Sequence, residues 1–268
     1  MSPAFENIEV MIWGKTYPEL SARHVETVCT GGIRLDTGAP VRLYPVPFRY
    51  MAGAKYRLYD LISVSVSKSP RDPRPESLKI QPDSIDVVGH VGPDQSEWAE
   101  RRRFLHMDTT WHYPGMVSVH AAQADTGRSM AFVQPDAIVG VEMVEKDRHE
   151  QEHHEEKWRS ITSQTDLFSP DYKELEWIPV KYRVQWRCSE HPSCHCFGNP
   201  HDMMILDWGL IELGRREGWG AAHAKLETLV DASVNDLRFF LGNMFSHPST
   251  FSVVGLWYPR LRDQLALI

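Results

Sequence analysis

Apolar and polar residues alternate over short runs in the first half of the chain, a period of two that is typical of β-strands. This alternation predicts strands at 8–13, 27–34, 40–47, 57–67 and 84–91. The triplet Asp36-Thr37-Gly38 separates the second of these strands from the third and has the composition of a hairpin turn. Three prolines between residues 70 and 75 interrupt the alternation and predict an extended loop at 69–77.

Beyond this loop the hydrophobic pattern predicts both helices and strands. A helix is predicted at 93–103, with Pro93 near its first turn, and a charged helix at 147–165. Short strands are predicted at 117–121, 129–134, 137–145, 179–187 and 251–257. Helices are predicted at 201–217, 220–232 and 236–244. The sequence therefore predicts an α+β fold, in which a β-rich, barrel-like N-terminal half precedes a helical C-terminal half.

Composition narrows the class of protein. The chain has 268 residues, ordinary apolar content and a net charge of −7, which argues against a protein that coats nucleic acid nonspecifically. The sequence shows neither a signal peptide nor an apolar run long enough to cross a membrane. Three of the four cysteines lie close together, a clustering that suits a metal in a reducing compartment. We expect a cytoplasmic protein.

A cysteine and histidine cluster carries the most specific chemical signal. Its predicted metal ligands are Cys188, Cys194, Cys196 and His201. Zinc prefers four such ligands in a tetrahedron, and a full set leaves no open position for water, so we predict a structural zinc ion that stabilises the C-terminal half. His191 and His195 are alternative ligands. A tight loop of reduced cysteines without a metal is the alternative interpretation.

The predicted domains follow from these features. Residues 1–146 are predicted to form a β-rich domain that binds nucleic acid or a base, and 147–177 a charged helical linker. Residues 178–268 are predicted to form a zinc-knuckle and helical domain.

The triplet Asp-Thr-Gly occurs twice, at Asp36-Thr37-Gly38 and at Asp125-Thr126-Gly127. It resembles the signature of the aspartic proteases, in which two such aspartates share a proton and activate water. We favour the other interpretation, that both triplets are turns between short strands, because this composition is common in turns.

Basic segments and aromatic residues are typical of nucleic-acid contacts. The predicted nucleic-acid-binding residues are Arg71, Arg74, Lys79, Arg101, Arg102, Arg103 and Trp111. The loop that carries the first three of these residues has an alternative interpretation as a rigid surface loop with internal salt bridges.

Acid and histidine side chains supply the candidate chemistry. The predicted catalytic residues are Asp108, His112, Glu76 and His247. Asp36 and Asp207 are further candidate acids. The segment around Asp108 and His112 has an alternative interpretation as a buried turn with satisfied histidines. His247-Pro248-Ser249 resembles the His-Pro-Ser loop of the uracil-DNA glycosylases, in which the histidine stabilises the departing base.

Longer segments resemble a bacterial, defence-associated protein family. These segments are Gly31-Gly32, Arg42-Leu43-Tyr44-Pro45, 72–77, His201-Asp202-Met203-Met204, Asp207-Trp208 and 236–242. The N-terminal half is also reminiscent of PUA/ASCH-type domains, which are small barrels that bind nucleic acids.

Together these features predict a protein that binds nucleic acid, most specifically DNA, and extrudes a base, modified or not. The favoured function is a DNA glycosylase-like hydrolase in antiviral defence. The alternative is a non-catalytic sensor of modified DNA or RNA. The most distant alternative is an aspartic protease that uses Asp36 and Asp125.

Overall fold

A computed structural model describes residues 5–21, 25–47, 56–93, 98–163 and 175–261. Its strands are β1 (Glu6–Lys15), β2 (Glu19–Ser21), β3 (Val25–Arg34), β4 (Pro40–Pro47), β5 (Asp60–Ser67), β6 (Ser77–Ile80), β7 (Asp86–His90), β8 (His112–Tyr113), β9 (Met130–Val133), β10 (Ala137–Glu145), β11 (Val180–Arg187), β12 (His201–Ile205), β13 (Arg238–Met244) and β14 (His247–Trp257). Its α-helices are α1 (Ala99–Leu105), α2 (Met116–Thr126), α3 (Arg148–Ser163), α4 (Trp208–Glu217) and α5 (Trp219–Leu229).

Five strands of the first half close into a barrel. β1 pairs with β3, β3 with β4, β4 with β6 and β6 with β5, and β5 pairs back with β1. Alternate residues of β5 (Ile62, Val64 and Val66) are almost fully buried, whereas the residues between them are partly exposed. The barrel-like N-terminal half is therefore confirmed, because the period of two places one apolar face of each strand inside the barrel.

A second sheet dominates the rest of the described chain. Its strand order is β10-β11-β12-β14-β13-β9-β8, and the β12–β14 and β8–β9 pairs are parallel. Helices α4 and α5 share a hydrophobic core with β11, in which Tyr182 and Trp186 are fully buried. The fold is mixed α and β, but the predicted helical C-terminal half is wrong, since strands run through it to Trp257.

Two predicted helices contain strands. Residues 201–205 form β12, and 238–244 form β13 instead of a helix. Phe239, Phe240 and Leu241 are all buried, because β13 is covered on both faces. A strand buried on both faces reads as a continuous apolar run and loses the alternation that would distinguish it from a helix.

The reverse error occurs at 117–121, which was predicted to be a strand. These residues belong to α2. The valines at 117 and 119 suggest a strand by their spacing, but Glu190 binds the first backbone N–H groups of the segment and stabilises a helix there. The charged helix predicted at 147–165 is confirmed as α3 over its described part, and residues 94–97 of the helix predicted at 93–103 lie outside the described residues.

The predicted domain boundaries at residues 146 and 178 fall inside the second sheet. β10 precedes the first boundary and β11 follows the second, and the two strands pair over most of their length. Helix α3 lies in the connection between them.

An aromatic core joins the barrel to the second sheet. Trp13 of β1 stacks on Phe240 of β13 at a ring-centroid distance of 4.3 Å, and Trp111 and Phe132 pack beside them. All four side chains are at most 2% exposed. Such aromatic contacts bury large apolar surfaces, so the two sheets stabilise each other. Among the described helices, none has both the length and the apolar content that crossing a membrane requires.

Candidate metal centre and barrel mouth

The four predicted zinc ligands converge on one point. The ligand atoms of Cys188, Cys194, Cys196 and His201 all lie within 4.8 Å of one another. The Sγ atoms of Cys188 and Cys196 are 3.8 Å apart, and Cys194 Sγ lies 3.4 Å from His201 Nε2. A tetrahedron with Zn–S bonds of about 2.3 Å has edges of about 3.8 Å, so this spacing fits one metal ion.

Strand pairing brings the first and last ligands together. β11 and β12 are antiparallel, with Trp186 opposite His201, so the loop between them begins at Cys188 and returns beside it. The ring of Trp186 lies 4.7 Å from the ring of His201 and fixes its orientation. A short 3-10 turn at His195–Phe197 then aims Cys196 inward.

Burial and hydrogen bonds shift the pKa of Cys194, Cys196 and His201. The three cysteines are at most 7% exposed. Burial raises the pKa of the Cys194 thiol to about 12 and lowers the pKa of His201, which keeps the imidazole in the neutral form that binds metals. At Cys196, hydrogen bonds from the Cys188 backbone and from the neighbouring thiols outweigh burial and lower the pKa. A divalent metal at this point would further favour the thiolate form of its cysteine ligands.

Glu190 connects the loop between β11 and β12 (residues 188–200), which we call the metal loop, to helix α2. Its carboxylate accepts hydrogen bonds from the backbone N–H groups of Val117 (2.7 Å) and Ser118 (3.0 Å) and from the Ser118 hydroxyl. Gly115 is the N-cap of this helix, and a Cβ there would lie 2.5 Å from Cys188 Sγ. Glu190 was not among the predicted site residues, although its position between two predicted ligands and the absence of a capping side chain at Gly115 were available signals.

The alternative ligands lie outside the cluster. His191 and His195 are exposed, and the ring of His191 packs on Phe197 at 4.6 Å. Cys29 belongs to the barrel, where its Sγ atom accepts a hydrogen bond from Arg42 at 3.3 Å.

A groove of about 620 Å³ opens at one end of the barrel. We call it the barrel mouth. It is lined by the start of β1, the β3–β4 turn, the end of β5 and the start of β6, including Phe5, Thr37, Pro40, Ser67, Pro75 and Glu76. Its volume lies in the range of small-molecule sites, which are often found in the mouths of barrels.

The predicted loop at 69–77 borders this groove and is stabilised by hydrogen bonds and an ion pair that involve Lys68 and Arg74. Lys68 Nζ donates to the backbone carbonyls of Pro75, Arg74 (3.4 Å) and Ser77 (3.3 Å). Arg74 pairs with Asp72 at 2.7 Å, donates to the Asn243 carbonyl at 3.0 Å and lies 5.7 Å from the Phe245 ring. The loop therefore packs against the tip of the β13–β14 hairpin (residues 244–247), which we call the β13–β14 tip.

Glu76 joins the loop to the second sheet. It is 5% exposed and accepts hydrogen bonds from the Ser129 backbone N–H (3.2 Å) and hydroxyl (3.0 Å). Arg128 lies 3.8 Å from its carboxylate, and Arg42 donates to the Ser129 carbonyl at 3.0 Å. This predicted catalytic residue therefore has a structural role in a buried, charged cluster.

Asp108 and His112 lie near each other beyond helix α1. Asp108 accepts a hydrogen bond from the Thr110 backbone N–H at 2.9 Å. Burial, together with the charges of His106 and Arg238, lowers the pKa of His112 to about 4. The Nε2 atom of His112 is shielded from solvent and has no hydrogen-bond partner among the described residues. His112 is thus neutral at physiological pH and has no exposed Nε2 atom to exchange a proton with a substrate.

Two residues predicted to bind nucleic acid are buried instead. Trp111 is fully buried, and Arg101 is 4% exposed and donates to the Val91 carbonyl at 2.9 Å. An aromatic ring without an exposed face cannot stack on a base, so burial removes Trp111 from the predicted interface. Arg102 pairs with Asp236 at 2.9 Å, and Arg71, Lys79 and Arg103 are exposed.

The two Asp-Thr-Gly triplets occupy different structures. The first is the β3–β4 turn, with Gly38 at φ +74°, where Arg34 binds Asp36 at 2.8 Å and lowers its pKa. The second ends helix α2, with Gly127 at φ +72°, so the turn predicted there between two strands is wrong. In the described residues, Asp36 makes no hydrogen bond or ion pair with Asp125.

The two remaining candidate residues, Asp207 and His247, lie in separate parts of the fold. Asp207 is the N-cap of α4 and accepts a hydrogen bond from the Leu210 backbone N–H at 2.8 Å; burial raises its pKa. His247 is exposed at the β13–β14 tip, next to Phe245, which is 56% exposed, and Met244, which is 53% exposed. This apolar tip was not predicted, because isolated exposed apolar residues have no periodic signal.

A second groove, of about 400 Å³, lies between β2, α3 and β11. Four of its charged residues already have partners: Lys181 pairs with Glu150, Lys146 lies 4.7 Å from the Trp177 ring, and Glu176 pairs with Arg215. This groove is therefore a weaker candidate for a polar ligand than the barrel mouth.

Comparison with protein families divides the chain between the two sheets. Residues 6–107 match the family described as Domain of unknown function (DUF8758), and residues 115–268 match Domain of unknown function (DUF8757). The second match covers more than half of the chain, so the protein belongs to that family. A comparison with curated proteins finds no match. The barrel and the second sheet thus correspond to two family units that meet between residues 107 and 115.

Proposed function

We propose that this protein binds DNA and holds one base outside the helix, while a structural zinc ion stabilises its second sheet. Zinc is favoured among metals by three thiolates and one imidazole in a buried, four-ligand arrangement. Elemental analysis of the protein purified without added metal is expected to give one zinc per chain.

The β13–β14 tip carries the proposal of DNA binding. Phe245 and Met244 are exposed apolar side chains on a tip that Arg74 anchors to the 69–77 loop. Exposed Arg71 lies on the same loop, and exposed His247 follows the tip. An apolar side chain can enter a base step while neighbouring cations and hydroxyls bind the adjacent phosphates.

Recognition of a base is favoured over its excision. Glu76 and His112, two of the predicted catalytic residues, are engaged in the fold or shielded from solvent. Asp108 is the partly exposed acid that supports the second candidate, a glycosylase-like reaction. The aspartic protease is not proposed further, because Asp36 is bound by Arg34.

The test uses a fluorescein-labelled duplex and a matched duplex that carries 2-aminopurine. We expect a rise in anisotropy on binding, and a rise in 2-aminopurine fluorescence as a base leaves the stack. Phe245→Ala should reduce the 2-aminopurine signal several-fold, because the side chain that enters the base step is gone. Phe197→Ala is the matched control, since Phe197 is 51% exposed and lies 5.9 Å from Arg187.

Two results would count against the proposal. If the anisotropy of the fluorescein-labelled duplex does not change, whether its bases are normal or modified, DNA binding is excluded. If Phe245→Ala and Phe197→Ala give the same 2-aminopurine fluorescence, Phe245 is excluded as the inserted side chain. Mild alkali followed by a denaturing gel separates the two candidates, because only excision leaves abasic sites that break.

A further inference from the structure

Two guanidinium groups share one carboxylate where helix α1 meets the start of β13. Arg102 Nη1 donates to Asp236 Oδ2 at 2.9 Å, and Arg238 Nε donates to Asp236 Oδ1 at 3.2 Å. The Asp236 side chain is 14% exposed, whereas the side chains of Arg102 and Arg238 are 30% and 23% exposed. The carboxylate is therefore more deeply buried than the two cations, which remain accessible to a ligand.

Aromatic rings of the core help to orient both cations. The Arg102 guanidinium lies 5.4 Å from the centroid of the Trp257 ring, and the Arg238 guanidinium lies 5.7 Å from the centroid of the Phe132 ring. Both rings are at most 2% exposed. A cation that is positioned by a carboxylate and by an aromatic face loses less conformational entropy when a ligand binds, so the pair is preorganised.

Most of the donors of this pair are free. Apart from Arg102 Nη1 and Arg238 Nε, the nitrogen atoms of the two guanidinium groups have no hydrogen-bond partner among the described residues. A guanidinium group has five N–H donors, so each side chain keeps several for a further acceptor. Such donors bind the oxygens of a phosphate in a bidentate geometry.

His106 adds a third basic group to this cluster. It lies four residues after Arg102, which places both side chains on the same face at the end of α1. The His106 ring is exposed, lies 5.4 Å from the His112 ring and has no hydrogen-bond partner in the part of the chain that the structure describes. Partial burial and the positive charges of Arg238 and Arg102 lower the pKa of His106, against the opposing charge of Asp236. An anion would relieve this repulsion among basic groups.

We propose that Arg102, Arg238 and His106 form a binding site for a phosphate group. The three side chains come from the end of α1 and from β13, and the tetrahedral oxygens of a phosphate can bind donors from different directions at once. Its negative charge complements a cluster in which one carboxylate does not neutralise two guanidinium groups. The phosphate belongs either to the DNA backbone, in which case the inference rests on the proposed function, or to a free ion or ester.

The test is titration of the full chain with inorganic phosphate at constant ionic strength, followed in NMR spectra of the histidine rings. Chloride replaces phosphate in the reference samples, so that general screening is the same in both series. We expect saturable binding with a Kd on the order of 1 mM. Bound phosphate should also raise the pKa of His106, because a nearby anion favours the protonated ring.

Two variants separate ligand binding from stability. Arg238→Gln should weaken phosphate binding about 10-fold through loss of charge-assisted hydrogen bonds, but it also breaks an ion pair with Asp236. His106→Gln breaks no hydrogen bond of the described residues, so it should weaken binding several-fold without a change in Tm. Arg148→Gln is the matched control, since Arg148 also pairs with one carboxylate, at 2.8 Å, and it should leave phosphate binding unchanged.

The outcomes separate this site from the proposal of DNA binding. Absence of saturable phosphate binding, or equal affinity in the wild-type protein and both variants, would overturn the site even if DNA binds. If Arg238→Gln also weakens duplex binding and reduces the slope of its salt dependence by about one, the phosphate is that of the DNA backbone. If phosphate binding depends on Arg238 and His106 but no duplex binds, the site takes a free phosphate and the proposal of DNA binding fails alone.

Discussion

Two irregular loops of this protein are ordered by opposite means. The 188–200 loop directs its three cysteines at one point, where their Sγ atoms and the ligand nitrogen of His201, at the start of β12, lie within 4.8 Å of one another. The 69–77 loop distributes its charged groups among separate partners, as Lys68 binds carbonyls and Arg74 binds Asp72. A loop whose candidate ligands converge on one point could be stabilised by a bound ion, whereas the other loop is stabilised by hydrogen bonds and ion pairs within the protein.

Loss of a metal ligand should therefore have the largest effect. Cys194→Ser removes one of four ligands, and metal binding at such sites is part of the folding free energy. We expect loss of bound metal and destabilisation by at least about 3 kcal/mol, seen as a fall in Tm of about 10 °C. Elemental analysis and calorimetry measure the two quantities. Cys29→Ser is the control and should keep the metal; a metal-free Cys194→Ser protein with unchanged Tm would contradict a structural role.

The buried carboxylate of the other loop should have the next largest effect. Glu76→Ala leaves the Ser129 N–H without its acceptor and Arg128 without its nearby carboxylate, which should cost about 3 kcal/mol in urea unfolding. Glu76→Gln keeps an acceptor and should lose less than half of that amount. The metal content of both variants should be normal. Loss of metal in Glu76→Ala would show that the two loops are not independent.

Glu190 sharpens the comparison, since it belongs to the metal loop but binds helix α2. Glu190→Ala should destabilise the protein by about 1 to 2 kcal/mol through loss of the helix cap, and weaken metal binding about 10-fold. Competition with a chelator measures the affinity, and urea unfolding the stability. Glu190→Gln should retain part of the cap, and an unchanged chelator titration in Glu190→Ala would limit Glu190 to capping.

The smallest expected effect is a dependence on pH from His112, outside both loops. Its folded-state pKa of about 4 lies below the ordinary value of 6.5, so the unfolded chain takes up a proton that the folded chain does not. Stability is therefore lost as the pH falls from 6.5 toward 4, by about 1 kcal/mol after allowance for partial exposure. His112→Asn should flatten this part of the pH profile relative to the wild-type protein, and parallel profiles would show that the shift is absent.

The metal centre illustrates how much a short sequence segment can reveal. Cys188, Cys194, Cys196 and His201 all lie between residues 188 and 201, so their proximity follows largely from the chain itself, and the choice of His201 over His191 and His195 was also predicted. Glu190 was missed because its role depends on helix α2, which is distant in sequence but packs against the loop.

The barrel, the charged helix α3 and the candidate metal ligands could be predicted, because each depends on local periodicity or on spacing within one segment. The folded arrangement of the whole chain set the remaining features. It placed Trp111 in the core rather than on a surface, made β13 a strand covered on both faces, and joined Glu76 to Ser129 and Arg74 to Asn243. The physical reason is that burial and charge pairing are set by residues far apart in the chain, which local patterns do not record.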